Sequence, residues 1–147
     1  MERQLQEVEQ EIEQLIQANE SLNQKCHIIE SMPGIGKVTA CSLLAEMPEL
    51  GKVGNKQIAA ILGVAPFIKQ SGGSKGTASI SGGRQAARDT LYMATLAVVR
   101  FNPMLKPFYK RLCSAGKKAK VALIAVIRKV ISILNVMVRK GEQWLPT

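Results

Sequence analysis

Acid is scarce in most of this sequence. From Met32 to Thr147 there are four acidic residues, Glu46, Glu49, Asp89 and Glu142, against eighteen lysines and arginines. Metal-dependent phosphoryl chemistry needs several carboxylates converging on the ions. Four scattered acids exclude a complete two-metal site within this chain, so no metal ligand is assigned. Histidine is equally scarce: His27 stands alone, inside the N-terminal helical pattern, which removes a Ser–His–Asp arrangement. The three cysteines, Cys26, Cys41 and Cys113, are far apart in sequence and form no CxxC pair. That argues against zinc and fits three free thiols in a reducing cytoplasm. Aromatic residues make up only 4% of the chain, too few for a platform that stacks single-stranded bases. The Gly72–Thr77 stretch lacks the GxxxxGK[ST] spacing of a nucleotide-binding loop. Residues 121–138 are apolar, but Arg128, Lys129 and Asn135 interrupt them, so a buried helix is expected and no membrane partner. The acidic, amphipathic N-terminus does not read as a signal peptide.

What is present is an uneven charge. The net charge is +9. Residues 1–31 hold seven acids and two bases, and residues 32–147 carry the excess of cations. This divides the chain into an acidic N-terminal helix, 1–31, and a basic body, 32–147, that suits a polyanion. A basic protein without a nucleic-acid role is the plainer alternative.

Residues 2–31 read as one helix. Leu5, Val8, Ile12, Leu15, Asn19, Leu22, Cys26 and Ile29 alternate steps of three and four, an a/d heptad seam. Asn19 falls on an a position, where a buried amide fixes register. A seam this narrow predicts a homodimer through a coiled coil, or folding back onto the body. Next, Pro33-Gly34-Ile35-Gly36 separates two helical patterns in the manner of a helix-hairpin-helix motif. In that reading Gly34 and Gly36 let the turn approach a DNA phosphate, Ile35 anchors it inward, and Lys37 and Thr39 assist at the N-terminus of the second helix. A plain helical corner is the alternative. Asn55 is placed as a helix cap. A helix is expected from about Gly83 to Phe101, then another after the Asn102-Pro103 cap. A last helix opens at Lys117, Lys118 and Lys120 and runs to Gly141. Strands are restricted to two short possibilities, 64–68 and 77–80, so the fold class is all-α.

Between these helices lies KQSGGSKGTASISGGRQAAR, residues 69–88. Glycines make it a poor helix or strand but a good close-approach surface. Lys69, Lys75, Arg84 and Arg88 flank four serines, and backbone N–H groups beside such cations suit a phosphate. Arg84 and Arg88 are four apart and share a helix face. From the residues alone, a serine here could be a phosphate ligand, a nucleophile or loop filler.

The stretches MPGIGKVTACSLLAE, KQIAAILGVAPFIKQSGG, ISGGRQAARDTLYMATLAVVRFNP, LKPFYKRL and AGKKAKVALIAVIRKVISILN carry a resemblance. Together, from Met32 to Trp144, they resemble the C-terminal transposase domain of bacterial insertion sequences of the IS110 family (IS116/IS110/IS902 type). The resemblance implies RNA-guided DNA recombinases with a guide RNA, a RuvC-like nuclease domain holding Mg²⁺ on carboxylates, and protomers joined by coiled coils. It implies that a serine in an SG motif after a GLAP-like segment attacks DNA and forms a phosphoserine link. Here those are Gly63-Val64-Ala65-Pro66 and Ser71-Gly72, so Ser71 takes the nucleophile role. Arg84 and Arg88 match the family's basic GGR stretch and are assigned to phosphate. No RuvC-like carboxylate set is present, so Mg²⁺ is expected outside this chain, which is expected to be a truncated product or a fragment.

The expected function is therefore the DNA-binding part of a cytoplasmic, nucleoid-associated transposase, with Ser71 attacking a phosphodiester. Lys69, Lys75, Arg84 and Arg88 would stabilise charge. The chain alone is expected to bind DNA without cleaving it. The alternative is a non-enzymatic helix-hairpin-helix accessory protein that binds DNA. A third reading, a coiled-coil interaction protein, ignores DNA.

Overall fold

The computed structural model describes residues 2–64 and 84–145, without the side chains of residues 16–18. Among these residues there are seven helices and no strand: α1 Glu2–Ala18, α2 Glu20–Glu30, α3 Lys37–Glu46, α4 Asn55–Leu62, α5 Gln85–Phe101, α6 Leu105–Ser114 and α7 Ala119–Lys140. The all-α expectation holds. The two stretches offered as strands lie outside the described residues except for Val64.

The expected single helix over 2–31 is two helices. Asn19 takes an extended backbone (φ −111°, ψ 109°), and its Oδ1 accepts hydrogen bonds from Ser21 N at 3.1 Å and Leu22 N at 3.4 Å. The amide that the heptad spacing puts in a seam caps α2 instead, because a short polar side chain competes with the helix for backbone N–H groups. α1 then packs against α2 and α3. Ile12 and Leu22 touch the core, while Leu5, Val8 and Leu15 stay exposed. The seam is thus divided between the chain's own body and its surface.

α7 is the centre of the core. Its length and mean hydropathy of 2.2 would allow it to cross a membrane. Its apolar face is spent on protein instead: Val126, Val130, Ile131 and Leu134 are wholly buried. α7 packs against α2, α4, α5 and α6. Ile29, Leu43, Ile58, Leu62, Leu91 and Val98 close the same cluster from the surrounding helices. Spacings of three and four along each helix turn these residues to one side.

Two buried amides tie loops to this core. Asn135 on α7 accepts from Gly51 N at 2.6 Å, and its Nδ2 donates to Val53 O and Asn55 Oδ1, both at 2.9 Å. Asn55 therefore serves Asn135 rather than capping α4, whose N-cap is Gly54. Asn102 accepts from Met104 N at 3.0 Å and Leu105 N at 3.1 Å, which caps the start of α6, and it donates to Pro33 O at 3.2 Å. That last bond fastens the α2–α3 turn to the α5–α6 junction.

Candidate nucleic-acid interface

The α2–α3 turn uses its two glycines differently. Gly34 has φ +103°, and a Cβ there would lie 2.7 Å from Val98 Cα. Its missing side chain allows the turn to seat on α5, so within the fold its close approach is to Val98. Gly36 is extended (φ −90°, ψ 174°), exposed, and among the described residues has nothing within 4 Å of a Cβ position. It is the N-cap of α3, and among the described residues no side chain caps that end. The first-turn N–H groups of α3 are the kind of donors that suit an anion. Ile35 is buried, as expected. Thr39 is half-buried. Lys37 is placed at this end of α3, but its Nζ lies 3.6 Å from Glu13 Oε1 of α1. Part of its charge is answered within the chain.

Arg84 and Arg88 do not act as one pair. Arg84, the N-cap of α5, turns to the segment after α3. Its Nη1 donates to Glu49 Oε1 at 3.1 Å and to Glu46 O at 2.8 Å, and its Nη2 donates to Glu49 Oε2 at 2.6 Å. This two-point pair holds the Glu49 carboxyl below the usual range, chiefly through the guanidinium hydrogen bonds, and raises Arg84. Arg84's charge is thus answered within the chain by Glu49. Arg88 turns the other way. It donates to Leu62 O at 3.1 Å, at the C-terminal end of α4, and to Gln85 Oε1 at 2.7 Å.

Arg88 also lines a cavity of about 550 Å³ between the end of α4, the first half of α5 and α7. Gly63 and Val64 contribute from α4's end, Gln85, Asp89 and Tyr92 from α5, and Lys120, Ile124, Ile127 and Arg128 from α7. Three cations share this wall with one acid. The ion pairs among the described residues are Lys37–Glu13 and Arg84–Glu49, so no described carboxylate pairs with Arg88, Lys120 or Arg128. The combination of an apolar floor and three such cations suits a sugar–phosphate chain. Lys120 and Arg128 were missed as site residues. Their signal is Lys120, Ile124 and Arg128 at successive steps of four, one face of α7.

The described residues that flank the Ser71 segment lie at or beside this cavity. Val64 is on its wall, and Arg84 N donates to Ile61 O at 3.4 Å. Ser71, Lys69 and Lys75 lie outside the described residues. Among the described residues no three His, Cys, Asp or Glu side chains are grouped to hold a metal ion.

A family model described as "Transposase IS116/IS110/IS902 family" matches residues 26–110, more than half of the chain. The chain belongs to the IS116/IS110/IS902 transposase family. The family match runs from Cys26 in α2 to Lys110 in α6, so it takes in the turn, the Ser71 segment and α5, and leaves α1 and α7 outside. The chain is 31% identical over 143 residues to a pilin gene-inverting protein of Moraxella bovis, covering 94% of this chain and 44% of that protein. It is 30% identical over 116 residues to the insertion element IS110 uncharacterized 43.6 kDa protein of Streptomyces coelicolor, covering 78% of this chain and 29% of that one. The chain therefore spans less than half the length of the curated relatives it matches.

Proposed function

We propose that this chain is the DNA-binding, serine-bearing part of an insertion-sequence transposase or DNA-inverting recombinase. The observation that carries the reading is the cavity with Arg88, Lys120 and Arg128 at the root of the segment that holds Ser71. Those cations grip a strand's phosphates beside the place where Ser71 is tethered. A second contact fits the exposed Gly36 end of α3, where a close-approaching backbone meets uncapped N–H groups. Contacts of both kinds position a duplex without reading its sequence.

In the proposed reaction the Ser71 oxygen bonds to a DNA phosphorus as one phosphodiester P–O bond breaks. The serine loses its proton, and the departing DNA oxygen takes one up. The product is a phosphoserine link that conserves the bond for rejoining. Arg88, Lys120 and Arg128 offset the negative charge that builds on the phosphate oxygens. The name of the Moraxella bovis relative supports this reading, since inverting a gene requires breaking and rejoining DNA.

The test is duplex binding by fluorescence anisotropy across a salt series. Binding should weaken steeply with salt, by a log–log slope of about −0.9 per phosphate contacted. Lys120→Gln and Arg128→Gln should each lower affinity and flatten the slope by about one unit. Absence of binding at low salt would overturn the reading. The nucleophile is tested separately, by supplying a RuvC-like partner and looking for a protein–DNA adduct that Ser71→Ala abolishes.

A further inference from the structure

Cys26 and Cys41 stand on α2 and α3, the two helices that flank the Pro33–Gly36 turn. Both are buried and both are free thiols, and their sulfurs lie 2.8 Å apart. The sequence separates them by fifteen residues and gives no sign of the pairing; the hairpin produces it. A disulfide bond is about 2.05 Å long, so less than about 1 Å of further approach separates this contact from a bond. The two helices already pack along one another, and closure asks for no exchange of partners. The third thiol, Cys113, is exposed on α6 and lies outside this pair.

We propose that Cys26 and Cys41 are a reversible redox pair, closed to an intramolecular disulfide by a peroxide, that staples α2 to α3 behind the Gly36 turn. The step balances with hydrogen peroxide as the two-electron oxidant. One thiol gives up its proton, its sulfur attacks a peroxide oxygen, the O–O bond breaks, and the departing hydroxide takes up that proton, leaving a sulfenic acid and a water. The second thiolate attacks the sulfenic sulfur, the S–O bond breaks, and the departing hydroxide takes up a proton to form a second water. Two thiols are oxidised and one peroxide is reduced. An external dithiol reverses the step by exchange.

The surroundings set the pace. Burial, then the Cys41 neighbour and the Glu30 carboxylate, push the Cys26 thiol up to about 12, and Lys37 opposes them weakly. A buried neutral thiol is a slow nucleophile. The pair therefore reacts more slowly than exposed Cys113 and closes when the hairpin opens enough to admit the oxidant. This proposal does not depend on the DNA reading, although the stapled hairpin is the one that carries Gly36.

The experiment uses the Cys113→Ser chain, so that two thiols remain. It is treated with hydrogen peroxide, denatured in N-ethylmaleimide and weighed intact. The expected product is monomeric, lighter by two hydrogens, carries no maleimide, and takes up two maleimides after dithiothreitol. Peptide mapping should join the Cys26 and Cys41 peptides, and the oxidised chain should unfold at higher urea than the reduced one, since a closed loop of this size restricts the unfolded state. Two maleimides on the peroxide-treated chain would overturn the proposal, as would sulfinic acid at either cysteine or a disulfide-linked dimer.

Discussion

Arg84 clasps Glu49 across 35 residues, with both guanidinium ends on both carboxylate oxygens at 3.1 and 2.6 Å, and it also bonds the Glu46 carbonyl at 2.8 Å. The pair joins the start of α5 to the loop after α3, at the first described residue after the Ser71 segment. It answers one cation of the basic body with an acid of the same chain.

Replacing Glu49 tests both consequences. The folded Glu49 carboxyl is held low, so its contribution to stability is present above the unfolded value of about 4.3 and is lost as pH falls through the lower folded value. Thermal unfolding followed from pH 7 down to pH 3 should show that loss in the parent chain, and Glu49→Gln should show less of it. The same substitution frees Arg84 and should strengthen duplex binding at low salt by a small factor, since the gain is one exposed charge.

Gly34 and Gly36 should respond in opposite ways to alanine. Gly34→Ala puts a Cβ against the Val98 backbone at 2.7 Å and forces a left-handed φ of +103° on a residue with a side chain. A loss of about 2–3 kcal/mol is expected in urea denaturation. Gly36 has an extended φ and open space, so Gly36→Ala should leave stability within about 0.5 kcal/mol. If this end of α3 meets a phosphate, the added methyl stands between them and duplex affinity falls in a chain that folds normally.

The contrast between these glycines marks what the sequence could reveal. Local chemistry was legible: the turn between two helices, the Asn102 cap, the glycine that ends the last helix, the apolar stripes and the all-α class. Each depends on residues within a turn or two of one another. Asn19 shows the first limit. A spacing of three and four places it in a seam, and the same side chain is also a good N-cap; the heptad count does not choose between them. Arg84 shows the second. Its helix position was readable, but its acid partner lies 35 residues away, and the fold alone brings them together. Lys120 and Arg128 were passed over for a similar reason. They stood out as helix-opening and membrane-excluding charges, and only packing of α7 beside α4 and α5 makes them one wall with Arg88.

Asn135 holds three groups from the α3–α4 loop and the start of α4 with one side chain. It is wholly buried on α7. Asn135→Ala removes the amide, leaves Gly51 N–H and Val53 C=O without these partners, and opens a small void. A loss of about 2–4 kcal/mol is expected in urea denaturation. Asn135→Asp keeps the acceptor for Gly51 but cannot donate to Val53 O when ionised. It should therefore be destabilising as well, and more so at pH 7 than at pH 4.

Thr95 should behave in the opposite sense. It sits in the middle of α5, wholly buried, and its Oγ1 has no hydrogen-bond partner among the described residues. A buried hydroxyl without a partner loses its hydration and gains nothing in return. Valine has nearly the same shape and no polar atom, so Thr95→Val removes that cost without changing the packing against the core. Urea denaturation should show stability unchanged or raised by about 1 kcal/mol. A loss of more than about 1 kcal/mol would mean that the hydroxyl is bonded in solution, and would place a polar partner inside the core beside α5.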